Sequence, residues 1–242
     1  MDTLGQPELA PGHVGVHTPR GKLVTLAARE GTTDLSTIGA IFRLWGTLHD
    51  EYGLADQYPA TFLDIGGHIG TVSVAVLADN PDCRAVIIEP LPENIEAIAR
   101  NLSLNGLTDR ATVIHGAIGK GSEIRIGYTL PRVPFAEEVH RYVGAPVGAD
   151  YTGEVIVSPV YPLGDLLDLL GDTVDLAKID CEGCEWVALK DPAVSRVRRW
   201  VGEYHGPGGT ASGLRRALGK SHRVSVAPHE QGATGMFTAV PR

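Results

Sequence analysis

What this sequence lacks narrows it quickly. No apolar run among its 242 residues approaches the roughly 20 that a membrane-spanning helix requires. The first twenty residues, MDTLGQPELAPGHVGVHTPR, have neither a basic start nor an apolar centre, so a secretory leader is not expected. Cysteine is scarce. Cys83, Cys181 and Cys184 are too few, and odd in number, for a disulfide framework, so reduced thiols and a cytoplasmic location are expected. Positive charge is short too: a formal net charge of -8 argues against nucleic acid or an anionic membrane surface as the main partner. A small molecule or a peptide-borne group remains. Internal repeats and low-complexity segments are missing, and 43% apolar content is enough for one domain to bury a full core.

What is present is an alternation. Residues 1–20, rich in Gly, Pro and His, predict a loose leader, followed by one domain over 21–242. Lys22–Ala28 can pair as a short strand, and Leu35, Ile38, Ile41, Phe42 and Leu44–Trp45 recur at helical spacing. From Thr61 the chain alternates strand and helix, the pattern of a parallel α/β sheet with helices on both faces. Strands are predicted over Thr61–Ile65, Arg84–Glu89, Ala111–His115, Val174–Asp180, Arg198–Glu203, His222–Ala227 and Ala233–Val240. Helices are predicted over Thr71–Ala78, from Pro92 to about Asn105, over Leu163–Leu170 and Glu182–Lys190, and near Thr210–Leu218. Residues 119–160 break the rhythm after the third strand, which marks a functional insertion on the substrate side rather than a linker.

The chemistry begins at TFLDIGGHIGTVS, Thr61–Ser73: an apolar strand carrying an acid, a glycine turn, then a helix start. Such a turn keeps the carboxyl end of a central strand small, so that a ligand can lie against backbone. The first glycine of a dinucleotide fingerprint falls on Ile65 here, and Asp64 sets a carboxylate where a diphosphate belongs. S-adenosylmethionine (SAM) has no phosphate and carries an ammonium and a sulfonium, so Asp64 points to a methyl-donor site. Glu89, about 20 residues past the turn, stands where ribose hydroxyls lie in such folds, although an acid there can equally cap the following helix. His68 can face the methionine carboxylate or fill space under the turn, and a backbone contact is the favoured use of that position.

Further on, KIDCEGCEW delivers Asp180 to the same edge, facing the methyl group or the acceptor, and Glu182 is expected to open the next helix. The Cys181–Cys184 pair has no second pair at finger spacing, so zinc is not expected. A redox pair is chemically possible, and packing of two small residues is the plainer reading. In VGEYHG, Glu203 and His205 emerge at the next strand end. There His205 is either a general base suited to neutral pH or a polar loop residue. Asp180, Glu203 and His205 could also hold Mg or Mn, a secondary reading.

These four motifs, in this order and spacing, resemble the FkbM family of class I SAM-dependent methyltransferases. The resemblance starts at Arg29–Asp34 with Ile38–Phe42 and Glu51–Tyr52 and extends to about Phe237. It implies a Rossmann-like sheet of seven strands, mostly parallel with the last antiparallel, a helical lead-in, and O-methylation of a hydroxyl, often on a secondary metabolite or a sugar. It makes Asp64, Gly66, Gly67 and Gly70 the cofactor motif, Glu89 the ribose acid with Pro90 beside it, and places Ala117 near the adenine. Gly67–His68, where the family more often has Ala-Asn, and the two cysteines depart from its pattern.

The expected activity is therefore SAM-dependent O-methylation of a small-molecule hydroxyl, of natural-product type. His205 would take the proton, oriented by Glu203 or Asp180. The lead-in helix and the 119–160 insertion would close over the ligands. An amine acceptor is the nearest rival, and a NAD-dependent oxidoreductase or a non-catalytic SAM-fold subunit lies further off. Neither nucleic acid nor membrane is expected as a partner, and monomer and homodimer are both open.

Overall fold

The computed structural model describes residues 12–42, 50, 52–128, 144–148, 150, 152–153, 155–206, 210–229 and 234–242. Its element order is β1 (His13–His17), β2 (Leu23–Ala27), α1 (Asp34–Ile41), β3 (Thr61–Ile65), α2 (Thr71–Asp79), β4 (Arg84–Glu89), α3 (Pro92–Leu104), β5 (Ala111–His115), β6 (Ala117–Ile118), β7 (Glu123–Tyr128), β8 (Gly144–Pro146), β9 (Val155–Tyr161), α4 (Leu163–Asp168), β10 (Val174–Ile179), α5 (Glu185–Ala188), β11 (Val197–His205), α6 (Ala211–Leu218), β12 (His222–Pro228) and β13 (Thr234–Pro241). Seven strands form the main sheet in the order β12-β13-β11-β10-β3-β4-β5. Only β13 runs antiparallel to its neighbours β11 and β12. This is the Rossmann-like α/β sheet that the alternation predicts.

The sheet separates two apolar layers, and β3 shows how. Leu63 and Ile65 pack with α4, α5 and α6, while Phe62, one residue out of phase, packs with α1, α2 and α3. Each fully buried Leu, Ile or Phe of this kind contributes about 1.5–3 kcal/mol against exposure. Asp64 shares the face of Phe62 and is therefore carried into the interior under α2.

Four differences from the sequence expectation follow from local physics. Part of the supposed leader is structured: β1 pairs antiparallel with β2, His13 opposite Ala27, and Val16 is buried in the second layer. The lead-in helix α1 ends at Ile41, while 43–49, which include Trp45, lie outside the described residues. The insertion, together with β6 just before it, builds a four-stranded sheet ordered β6-β9-β7-β8, with 129–143 outside the described residues. The helix expected from Glu182 begins only at Glu185, because Glu182 (φ 54°) and Gly183 (φ 111°) are left-handed and break the first turn. Among the described residues no helix is long and apolar enough to cross a membrane.

Candidate active site

The carboxyl ends of β3, β4, β5 and β10 open onto a cavity of about 250 Å³. The main sheet contributes Gly66, Gly67 and His68 after β3, Glu89 and Pro90 after β4, Ala117 past β5, and Lys178, Asp180 and Glu182 from β10 and its turn. Ile41 and Tyr52 close it from the lead-in, and Ile124, Ile126 and Pro146 from the small sheet. Gly66 is required at the rim: its φ of +77° suits glycine, and a Cβ there would run into the backbone carbonyl of Asp180.

Glu89 is 4% exposed and fully hydrogen-bonded. One oxygen accepts from the His68 N–H at 2.8 Å, the other from the Leu91 N–H at 3.2 Å and the Asn94 amide at 3.0 Å. Burial nevertheless pushes its carboxyl up to about 7, because desolvation outweighs these donors. The His68 backbone at φ 49° thus serves Glu89, and its ring lies 3.6 Å from Asp34 Oδ1. Burial drives that imidazole down to about 4, so it is neutral at physiological pH. Asp34 takes two hydrogen bonds from the Arg29 guanidinium, both 2.9 Å, and Arg29 also donates to Asn94. Burial works against the Asp34 carboxylate, yet Arg29 holds it below the ordinary range. The lead-in motif REGTTD is tied in this way to the Asn94 amide that donates to Glu89.

A second cluster sits at the β10 and β11 ends. Asp180 Oδ2 accepts from the Tyr52 hydroxyl at 2.8 Å. His205 Nε2 faces Asp180 Oδ1 at 3.9 Å, Glu203 Oε1 at 3.8 Å and Glu182 Oε2 at 3.7 Å. Its Nδ1 lies 3.0 Å from Oε1 of the wholly buried Glu185, which also accepts from the Cys181 N–H. The indole N–H of Trp186 donates to the His205 carbonyl at 2.7 Å and pins the strand end. Burial lowers the affinity of the imidazole for its proton, but Glu185, Glu182 and Asp180 outweigh that and push it up to about 9. The isolated imidazole is thus a cation at neutral pH, in place of the base tuned to neutrality that its strand-end position suggests. Burial, with Asp180 and Glu185 nearby, raises the Glu182 carboxyl as well.

The model of the Methyltransferase FkbM domain matches residues 64–225. The chain belongs to that family. It is accordingly a SAM-dependent methyltransferase. No curated protein sequence matches it. Similar solved structures include a precorrin-6y C5,15-methyltransferase from Geobacter metallireducens, with 18% identity, 78% of this chain and 83% of that chain covered and a TM-score of 0.46. An O-methyltransferase from Bacillus cereus in complex with SAH has 14% identity, coverage of 76% and 74% and a TM-score of 0.44.

The structure brings most of the sequence-derived residues together. Gly66, Gly67, His68, Glu89, Pro90, Ala117 and Asp180 line the cavity, and Glu203 and His205 adjoin Asp180 at its edge. Two cofactor candidates stand back from it. Gly70 takes φ +81° and starts α2. Asp64, 0% exposed, does not reach the cavity: Ser73 Oγ donates to it at 2.6 Å and Lys178 Nζ lies 3.3 Å away. The cation that its carboxylate suits is supplied by the chain itself. Cys181 and Cys184, read as reduced packing residues, are joined in a disulfide across the turn, their Cα atoms 5.4 Å apart. Sequence reading missed Lys178, Asn94, Tyr52 and Glu185 as supports of the site. Of these, Lys178 had a visible signal as a lysine at an inward-alternating position of an apolar strand, and Tyr52 stood in the lead-in that carries the resemblance.

Proposed function

We propose that this methyltransferase moves the methyl group of SAM onto a hydroxyl of a small molecule, of secondary-metabolite or sugar type. The observation that carries the reading is the group of Asp180, Glu203 and His205 beside the cofactor cavity. An alcohol must lose its proton as the carbon–oxygen bond forms, and this group offers proton acceptors at the edge where the methyl donor ends. Asp180, anchored by Tyr52, receives the hydroxyl and its carboxylate takes the proton; Glu89, Asn94 and the glycine turn hold the nucleoside. When bound, SAM supplies an activated methyl whose departure needs no further group from the protein.

A second reading has its own support. Four carboxylates around one imidazole make an edge of strongly negative potential, which attracts an ammonium, so an amine acceptor is the alternative. The test is a radiolabelled methyl-SAM assay on matched acceptors that differ only in hydroxyl or amine. Transfer to hydroxyls alone supports O-methylation, transfer to amines alone replaces it, and calorimetry on the same sample establishes that SAM is bound.

A further inference from the structure

Three carboxylates converge on His205 Nε2, their oxygens at 3.7, 3.8 and 3.9 Å, each too far for a hydrogen bond. One ligand atom from each of Asp180, Glu203 and His205 lies within 4.8 Å of the other two. Ligands about 2.1 Å from a central ion stand at most about 4.2 Å apart, and the 3.9 Å and 3.8 Å that separate His205 Nε2 from Asp180 and Glu203 lie within that span. We propose that Asp180, Glu203 and His205 form a site for one divalent cation of the Mn or Mg class at the edge of the cofactor cavity.

The groups behind these three point the same way. Glu185, 0% exposed, holds Nδ1 and fixes the ring with Nε2 turned toward the oxygens, and its own Oε2 is buried without a hydrogen-bond partner. A carboxylate on the far nitrogen is the usual means of orienting a metal-binding imidazole. Tyr52 occupies Asp180 Oδ2 and leaves Oδ1 facing the ring. The side chains are partly shielded (Asp180 27%, Glu203 21% and His205 14% exposed), so a cation placed among them is screened less by water than at an open surface. Carboxylates with a single imidazole suit Mn and Mg better than Zn or Cu. The use of the ion rests on the proposed function: it binds the acceptor oxygen and lowers its proton affinity. Its binding does not rest on that reading.

The test is electron paramagnetic resonance of Mn²⁺ added to the full-length protein after chelator treatment, with SAM binding by calorimetry in parallel. One Mn²⁺ bound per chain, displaced by excess Mg²⁺ and showing nitrogen coupling from a coordinated imidazole, is the expected result. Glu203→Gln should weaken it at least tenfold, of the order seen when metal-site groups are altered. Absence of bound Mn²⁺, absence of nitrogen coupling in the wild type, or equal binding by a Glu203→Gln protein that still binds SAM overturns the site. The nitrogen coupling needs no variant, so a misfolded mutant does not blunt the test. SAM binding without Mn²⁺ removes the metal and leaves the methyltransferase reading intact, whereas Mn²⁺ binding without SAM does the reverse.

Discussion

Lys178 stands directly opposite Asp64 in the register of β10 and β3, its Nζ 3.3 Å from the Asp64 carboxylate and 2.5 Å from the Gly66 carbonyl oxygen. Burial disfavours the ammonium, but Asp64 and Asp180 outweigh that and raise its proton affinity above the ordinary value. One cation thus neutralises the buried acid and grips the glycine turn from beneath.

Removing that cation leaves a buried charge alone. Lys178→Met should cost about 3–5 kcal/mol of folding free energy, whereas Lys178→Met with Asp64→Leu should recover much of it. Urea denaturation of both single variants and the double variant measures the coupling. Additive losses would show that the pair is not one unit.

Cofactor affinity should depend on pH through Glu89. Its carboxyl, raised to about 7, is ionised only above that value, and ribose hydroxyls donate best to the ionised form. SAM should bind more weakly as pH falls below 7, by up to about tenfold per unit. Calorimetry at pH 6, 7 and 8 checks this, and Glu89→Gln should flatten the profile. The unliganded fold shows the opposite sign. Glu89 gains proton affinity on folding, so its contribution is present below the ordinary carboxyl value and lost as pH rises through 7.

Turnover should be sensitive to His205 while cofactor binding is not. His205→Ala, which removes the cation set among Asp180, Glu182 and Glu203, is expected to lower the rate on a hydroxyl acceptor and to shift its pH profile, with SAM affinity within a factor of a few. Initial rates and calorimetry on one preparation separate the two. An undiminished rate removes His205 from the chemistry.

The Cys181–Cys184 bridge closes a loop with a sequence separation of 3, so chain entropy gives it only about 2 kcal/mol. Its larger effect should be local, because the bridge spans Glu182 and Gly183, both left-handed, between Asp180 and Glu185. Cys184→Ser should lower the melting temperature slightly and weaken SAM binding more clearly. Phosphine-reduced wild type should behave the same way in differential scanning fluorimetry.

The parts of the fold with strong periodicity were legible in the sequence. The strand from Thr61 and the helix from Pro92 fall where the apolar alternation and the proline place them, because burial on both faces leaves few alternatives. Stretches without a period of their own were not. His13–His17 becomes a strand because β2 offers it an edge, and in the small sheet the alternation of Glu123–Tyr128 was visible while its pairing with β9 was not. Within the site, strand ends located Asp180, Glu89, Glu203 and His205. Which carboxylate faces the ligand and which faces the interior was hidden, since the direction of Asp64 follows from one phase of alternation and a lysine 114 positions later that only the register brings opposite.

The small sheet has one more consequence. Ile124 and Ile126 on β7 form one wall of the cavity, and Ile126 packs with Leu91 in a cluster apart from both main layers. That wall can change its side chains, or lengthen its loops, without touching a single pairing of the seven-stranded sheet. A substitution at Ile124 or Ile126 therefore reshapes the cavity from a sheet whose hydrogen bonds are separate from those of the seven strands behind it.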